Sequence, residues 1–306
     1  MKILVATEKP FAAAAVNGIK NEAQAAGHEV VLLEKYTDKQ QLLDAVADVD
    51  AMIVRSDKVT PEVLGAAKNL KIVVRAGAGY DSIDTAYAKE KGVVVENTPG
   101  QNSNAVAELV FGLLVFTVRN FFNGKSGSEL KGKKLGILAF GNVGRNVARI
   151  AKGFGMDVYA FDEFVPKEKI EEQGVHGVNS RDELFEVCDV VSLHIPATAE
   201  TRESINYQVV NLMKKGGIVV NTARKEVINE EELLALMQER TDLKFITDIK
   251  PDMDAEFAEK LEGRYFSTPK KMGAQTAEAN INAGIAAAKQ INAFFKDGCT
   301  KFQVNK

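Results

Sequence analysis

The sequence predicts an α/β protein made of two doubly wound parallel-sheet domains. Three observations carry that expectation: short β-branched runs alternate with helical patterns, the alternation runs through twice, and a glycine-rich turn joins a strand to an amphipathic helix early in the second series. A chain of 306 residues also holds more material than one core usually organises.

The first series is KILVAT (2–7), EVVLLE (29–34), AMIVRS (51–56), KIVVRAG (71–77) and VVVENT (93–98). Near-continuous apolar strands of this kind belong to sheets covered on both faces, which parallel sheets with crossover helices provide. The second series is KLGILAF (134–140), DVYAFD (157–162), VVSLHI (190–195), GIVVNTA (217–223), KFITDI (244–249) and RYFSTP (264–269). Between them lies the segment 103–121, too hydrophobic for a surface helix, and its burial is expected between domains or between two subunits. A homodimer is the assembly this implies. The Ala-rich stretch 276–298, ending in Lys296 and Gly298, reads as a helix that returns the chain to the first domain. The expected division is therefore 1–101 plus 281–306 for one domain and 102–280 for a second, inserted one.

Hydrophobic residues make up 45% and charged residues 26%, and the 39 basic and 42 acidic residues leave a net charge of -3 with no long run of one sign. That pattern lacks the basic footprint of a nucleic-acid binder and favours a small-molecule partner. Cys188 and Cys299 form no CxxC pair, against both a disulfide framework and a cysteine metal site, so no metal is expected and a reducing cytoplasm fits. The N-terminal apolar run is too short for a signal peptide, and the stretch 105–118 contains Glu108 and is too short to cross a bilayer, so no membrane role is expected.

After KLGILAF comes Gly141-Asn142-Val143-Gly144, then a helix with Val147, Ile150, Ala151 and Phe154 at helical spacing. Gly141 lets backbone approach a pyrophosphate, Gly144 lets helix pack on strand, and the helix N-terminus offers unpaired N–H donors. Asp162, eighteen residues beyond Gly144, ends the next strand, where a carboxylate accepts ribose hydroxyls and repels a 2′-phosphate. The expected cofactor is NAD. One departure is Ala139 at the first glycine position of G-x-G-x-x-G, whose methyl is expected to shift the turn slightly.

Several segments in register resemble the D-2-hydroxyacid dehydrogenases: VRSDKVTPEVL (54–64), VRAGAGYDSID (74–84), NTPGQNSNAVAELV (97–110), AFGNVG (139–144), LHIPATAETR (193–202), NTAR (221–224) and GAQTAEA (273–279). The VRS and RAGAGYD segments look closest to short D-3-phosphoglycerate dehydrogenases without an ACT domain. The resemblance implies a Rossmann NAD domain inserted in a flavodoxin-like substrate domain, with chemistry in the cleft between. It also implies that His194 and Pro196 at the HxP corner, with Thr222, Ala223 and Gly273, border the cofactor, and that Asp248 meets the nicotinamide carboxamide.

Oxidation of a 2-hydroxyacid requires a carboxylate clamp and a group that exchanges the hydroxyl proton. Arg224 follows a strand at its carboxyl end, where its planar fork suits a carboxylate, and it matches the family's substrate arginine. The family's TPH-x-G motif reads TPKKMGAQT (268–276) here, with no histidine. Counting back from Gly273 places Lys271 at the histidine position, with Lys270 as an apparent insertion. The acidic partner five residues after Asp248 is replaced by Met253; Asp252 and Asp254 flank it and read as solvated loop residues. His28 and His176 stand in polar connections and read as structural or solvated.

Arg55, Ser56 and Lys58 cluster where a strand meets its loop and offer charge-assisted donors to a phosphate. By resemblance, Arg55 and Ser56 hold the phosphate of the substrate, Gly77, Ala78 and Gly79 offer backbone N–H groups to its carboxylate, and Asn102 makes a further contact. The function these expectations imply is NAD-dependent oxidation of D-3-phosphoglycerate to 3-phosphohydroxypyruvate, the first step of serine biosynthesis. The alternatives are another D-2-hydroxyacid dehydrogenase, acting on glyoxylate, hydroxypyruvate or D-lactate, and a non-catalytic NADH-sensing protein of the corepressor type.

Overall fold

A computed structural model describes all residues, Met1–Lys306. The chain divides into two compact units, Met1–Asn102 with Gln275–Lys306, and Ser103–Ala274. The second crossing thus precedes the last helix, rather than falling inside it at residue 281.

Unit 1 carries β1 (Lys2–Thr7), β2 (Glu29–Glu34), β3 (Ala51–Val54), β4 (Ile72–Arg75) and β5 (Val94–Asn97), all parallel, in the order β2-β1-β3-β4-β5. That is the flavodoxin-like order, wound in both directions from β1. Alternate residues serve opposite faces. Leu4, Met52 and Val73 join Val46 and Leu64 on one side, while Ile3, Ile53 and Val74 join Ile19, Ala287 and Ile291 on the other. Each fully buried branched side chain contributes about 1.5–3 kcal/mol, so a strand such as AMIV, buried at every position, is held from both faces.

The helix Ala277–Asp297 supplies Ala283, Ala287, Ala288 and Ile291 to this core. Its small residues suit a close approach to the helix Ala13–Ala25, and it stops at Gly298, whose left-handed φ of +66° closes the last turn. The C-terminal residues then cover the edge of β5. Val304 N–H donates to the Val95 carbonyl at 2.9 Å, and Asn305 bonds both Val93 O (2.8 Å) and Val95 N–H (2.9 Å).

Unit 2 carries β6 (Lys134–Leu138), β7 (Asp157–Phe161), β8 (His176–Gly177), β9 (Val190–Leu193), β10 (Ile218–Asn221), β11 (Lys244–Thr247) and β12 (Tyr265–Ser267). All are parallel, in the order β12-β11-β10-β9-β6-β7-β8. Chain order reverses between β6 and β9, which makes the carboxyl ends of those strands the place where a doubly wound sheet binds ligands. The helix Ser103–Val118 packs its Val106, Ala107, Val110, Phe111 and Leu114 face inside unit 2. Its hydrophobicity is therefore largely explained within one unit: it covers the sheet face that carries Ile137 and Val220.

Candidate active site

The predicted strands overshoot the observed ones at their carboxyl ends. AMIVRS stops at Val54, GIVVNTA at Asn221 and KFITDI at Thr247. The residues beyond leave the sheet, and they are where most of the candidate side chains stand.

At the end of β6 the chain turns through Ala139, Phe140 and Gly141 into the helix Asn142–Gly153. Ala139 holds φ +78°, the left-handed geometry that glycine adopts freely. The methyl thus sits on a left-handed backbone, a strain of order 1–2 kcal/mol. Gly144 must lack a side chain, since a Cβ there would lie 2.3 Å from the Ala139 carbonyl oxygen. Gly141 faces open space, and the first N–H groups of the helix, at Asn142, Val143 and Gly144, have no carbonyl within the helix to bond. Asp162, at the end of β7, accepts N–H from Phe140 (2.6 Å), Phe164 (2.8 Å) and Val165 (3.1 Å). A carboxylate has about four acceptor positions, so it is fixed in place with capacity remaining.

His194 follows β9, with its Nε2 2.9 Å from the Ser192 hydroxyl. Burial pushes its imidazole down to about 3, which keeps it neutral and unsuited to holding a proton near neutrality. Pro196 stands exposed two residues on. Thr222, after β10, is buried and its hydroxyl has no partner in the chain, a cost of about 1–3 kcal/mol that a bound polar group would relieve. The open glycine turn, the free helix N-terminus, the fixed carboxylate and this orphaned hydroxyl together fit a dinucleotide.

After β10 the buried Asn221 shapes the next turn. Its side-chain oxygen accepts Ala223 N–H and its amide donates to Arg224 O, both at 2.9 Å. The turn presents the Ala223 carbonyl, and two cations converge on it: Arg224 Nη1 at 2.9 Å and Lys271 Nζ at 3.3 Å. Lys271 and its neighbour Lys270 are both exposed residues.

The loop that carries Lys271 is fastened by Asp248. This buried carboxylate accepts the Thr268 hydroxyl (2.9 Å) and Met272 N–H (2.8 Å) on one oxygen, and Gly273 N–H (2.7 Å) on the other. With three donors already satisfied, Asp248 acts first as the clasp of the lysine loop. Of the two acidic neighbours of Met253, Asp252 is the solvated turn residue expected, with its side chain 79% exposed, whereas Asp254 opens a helix and is held by three donors. Asp252 pairs with Lys225 at 2.5 Å, and Asp254 accepts Tyr265 Oη (2.7 Å), Ser267 Oγ (2.6 Å) and Lys250 Nζ (3.0 Å).

In unit 1, Arg55 leaves β3 half-buried, with Nη1 3.2 Å from the carbonyls of Lys9 and Pro10 and Nη2 2.6 Å from Asn280 Oδ1. Burial lowers its pKa, and Asp57 opposes that. Ser56 and Lys58 are exposed beside it. Gly77 does not offer its N–H outward as expected, because that group donates to Arg75 O at 2.8 Å. Ala78 and Gly79 remain as candidate donors. Asn102 lies half-buried, five residues beyond β5.

Two unit 1 residues escaped the reading of the sequence. Asp57, 4% exposed, accepts Glu8 N–H (2.7 Å), Tyr36 Oη (2.8 Å) and Arg55 N–H (3.2 Å), tying three loops to the arginine. Arg75, paired in register with Val54, donates Nε to Arg55 O at 2.8 Å, and its guanidinium occupies the space over Gly77 where any Cβ would collide. Its place at the end of the strand beside β3 was the available signal. His28 packs edge-on to Phe295 and His176 lies against Tyr159. No group of three or more His, Cys, Asp or Glu side chains is placed to hold a metal ion, and no helix is long and apolar enough to cross a membrane.

The match to known proteins follows the same division. Residues 117–262 match the NAD binding domain of the D-isomer specific 2-hydroxyacid dehydrogenases. Hydroxypyruvate reductase of Thermotoga maritima is 38% identical over 285 residues, covering 86% of this chain and 90% of that one. D-3-phosphoglycerate dehydrogenase of Methanocaldococcus jannaschii is 36% identical over 87% of this chain and 54% of its own length; the chain spans about half the length of the curated phosphoglycerate dehydrogenases it matches. The NAD+-bound crystal structure of 3-phosphoglycerate dehydrogenase from Entamoeba histolytica is 49% identical and superposes with a TM-score of 0.88, covering all of this chain and 99% of that one. A sheet order, a glycine turn and a family match that coincide on one unit leave a single conclusion: the chain belongs to the D-isomer specific 2-hydroxyacid dehydrogenases, and NAD is its cofactor.

Proposed function

We propose that the protein oxidises D-3-phosphoglycerate to 3-phosphohydroxypyruvate and runs the reverse reduction. The observation that carries this reading is the pair of guanidinium groups at the ends of β3 and β4. Arg55 and Arg75, with Ser56 exposed beside them, place two guanidinium groups against the single buried carboxylate of Asp57, and charge-assisted donors of this type suit a phosphate.

In unit 2, Arg224 is the clamp for the substrate carboxylate and the neighbouring oxygen. Lys271, as a neutral amine, takes the proton from the hydroxyl oxygen while the hydride leaves the carbon that bears it; in reduction its ammonium returns that proton. NAD, when bound, supplies the hydride acceptor. The Ala223 carbonyl orients both cations, and the Asp248 clasp holds the lysine loop against β10 and β11. His194 is kept neutral and borders the cofactor. A homodimer is the proposed assembly, to be checked by light scattering of the whole chain.

Hydroxypyruvate reduction is the second reading, favoured by the Thermotoga maritima relative, which aligns over nearly its full length. Steady-state rates with NADH and equimolar phosphohydroxypyruvate, hydroxypyruvate and glyoxylate separate the two. The proposal expects phosphohydroxypyruvate to lead by at least about tenfold in kcat/KM, in line with one or two charge-assisted bonds at about 1.5–3 kcal/mol each. Equal rates on hydroxypyruvate would overturn it, and no turnover of any substrate would favour an NADH-sensing role.

A further inference from the structure

At the amino ends of the unit 2 strands, opposite to Arg224 and Lys271, lies a cavity of about 110 Å³. Its walls include Lys133 before β6, Lys215 and Gly216 before β10, Lys244 at the start of β11, and Ser128 and Asp189. The three lysines stand out because none of them forms an ion pair, while ion pairs occur at eight other places in the chain.

Lys244 is half-buried, and its ammonium has only the Thr117 carbonyl at 3.4 Å. Burial lowers its pKa, the mark of a cation that has lost water without gaining a counter-charge. The acids nearby already accept other donors. One Asp189 oxygen accepts Lys134 N–H at 2.8 Å, and Asp242 is held by Arg240 at 2.9 Å and by Gly216 N–H at 2.8 Å. Three ammonium groups against one lining carboxylate leave an excess of about two positive charges around the opening.

We propose that this cavity binds a small tetrahedral oxyanion, either inorganic phosphate or the phosphate of a monoester. The volume leaves room for a small polyatomic ion such as one phosphate group but not for a nucleotide. The three lining lysines and the Ser128 hydroxyl offer donors for the several oxygens of a dianion, which a single chloride does not use. Because Lys133, Asp189, Gly216 and Lys244 belong to four neighbouring strand starts, an anion here ties β6, β9, β10 and β11 together and stabilises unit 2 without touching the reacting groups.

The test uses the whole chain and inorganic phosphate, with chloride at equal ionic strength as the reference. About 20 mM phosphate is expected to raise Tm by roughly 3 °C and to slow amide hydrogen exchange in residues 128–134 and 215–218, through binding to the folded state alone. The Arg55→Met variant keeps this response, since it alters a phosphate donor of unit 1 and leaves the lysines of this cavity in place. Lys244→Met, which keeps the apolar stem and removes the charge, loses it; if that variant fails to fold, the exposed Lys215→Gln provides the same comparison. Loss of the response in Arg55→Met with retention in Lys244→Met or Lys215→Gln would overturn the proposal, as would the absence of any phosphate-specific shift or protection.

Discussion

Lys271 and Lys270 are adjacent in sequence and separated by function in this account. Both are exposed, and it is the Lys271 amine that reaches the Ala223 carbonyl that Arg224 also bonds. Lys271→Ala is expected to cut kcat by about 100-fold or more, the usual scale for a lost proton-transfer group, while NADH affinity by fluorescence stays within about twofold. Lys270→Ala changes kcat by less than about threefold. Equal losses in the two variants contradict the assignment. At Ala139 the left-handed backbone makes a different prediction: Ala139→Gly relieves strain and loses part of the gain to unfolded-chain entropy, a net stabilisation of about 0.5–1 kcal/mol in urea titration. Neither the positive φ of Ala139 nor the partners of Asp57 were legible in the sequence. A departure from a glycine pattern says that something gives way but not what, and the acceptors and donors around Asp57 come from loops as distant as Glu8 and Tyr36.

Elements were more legible than residues because hydrophobic periodicity is a local signal. Eleven strands stand where β-branched runs predict them; the two-residue β8, His176–Gly177, has too few residues to show a period. The systematic overshoot at Arg55, Thr222 and Asp248 has a physical cause: apolar and functional residues are contiguous there, and only the turn out of the sheet separates them. The strand β9 carries the pH prediction. His194 holds its imidazole near 3 by burial, against about 6.5 when unfolded, so the unfolded chain binds the extra proton between those values. Its contribution to stability is complete above pH 6.5 and is lost progressively as pH falls, by at most about 1.4 kcal/mol per pH unit. Tm measured at pH 7.5 and pH 5 is expected to fall, and His194→Asn to flatten part of that fall; an unchanged slope would remove His194 from the explanation.

At the scale of the molecule, the family was legible because motifs in register recur along most of the chain, and their order is more specific than any one of them. The substrate was not, since specificity depends on whether donors on loops far apart in sequence face one ligand. Arg75 illustrates the gap: it lies twenty residues from Arg55 in sequence, yet it ends the neighbouring strand and its Nε donates to Arg55 O. In the proposed function the labour is divided: the cofactor, the carboxylate clamp and the proton-transfer lysine belong to unit 2 and the phosphate donors to unit 1. The direct measurement of that division is the ratio of kcat/KM for phosphohydroxypyruvate to that for hydroxypyruvate, in the wild type and in Arg55→Met. The account predicts that the substitution lowers this ratio by about 10- to 100-fold, the loss of a charge-assisted bond, chiefly through KM for the phosphorylated substrate. A ratio that is the same in both proteins would contradict it.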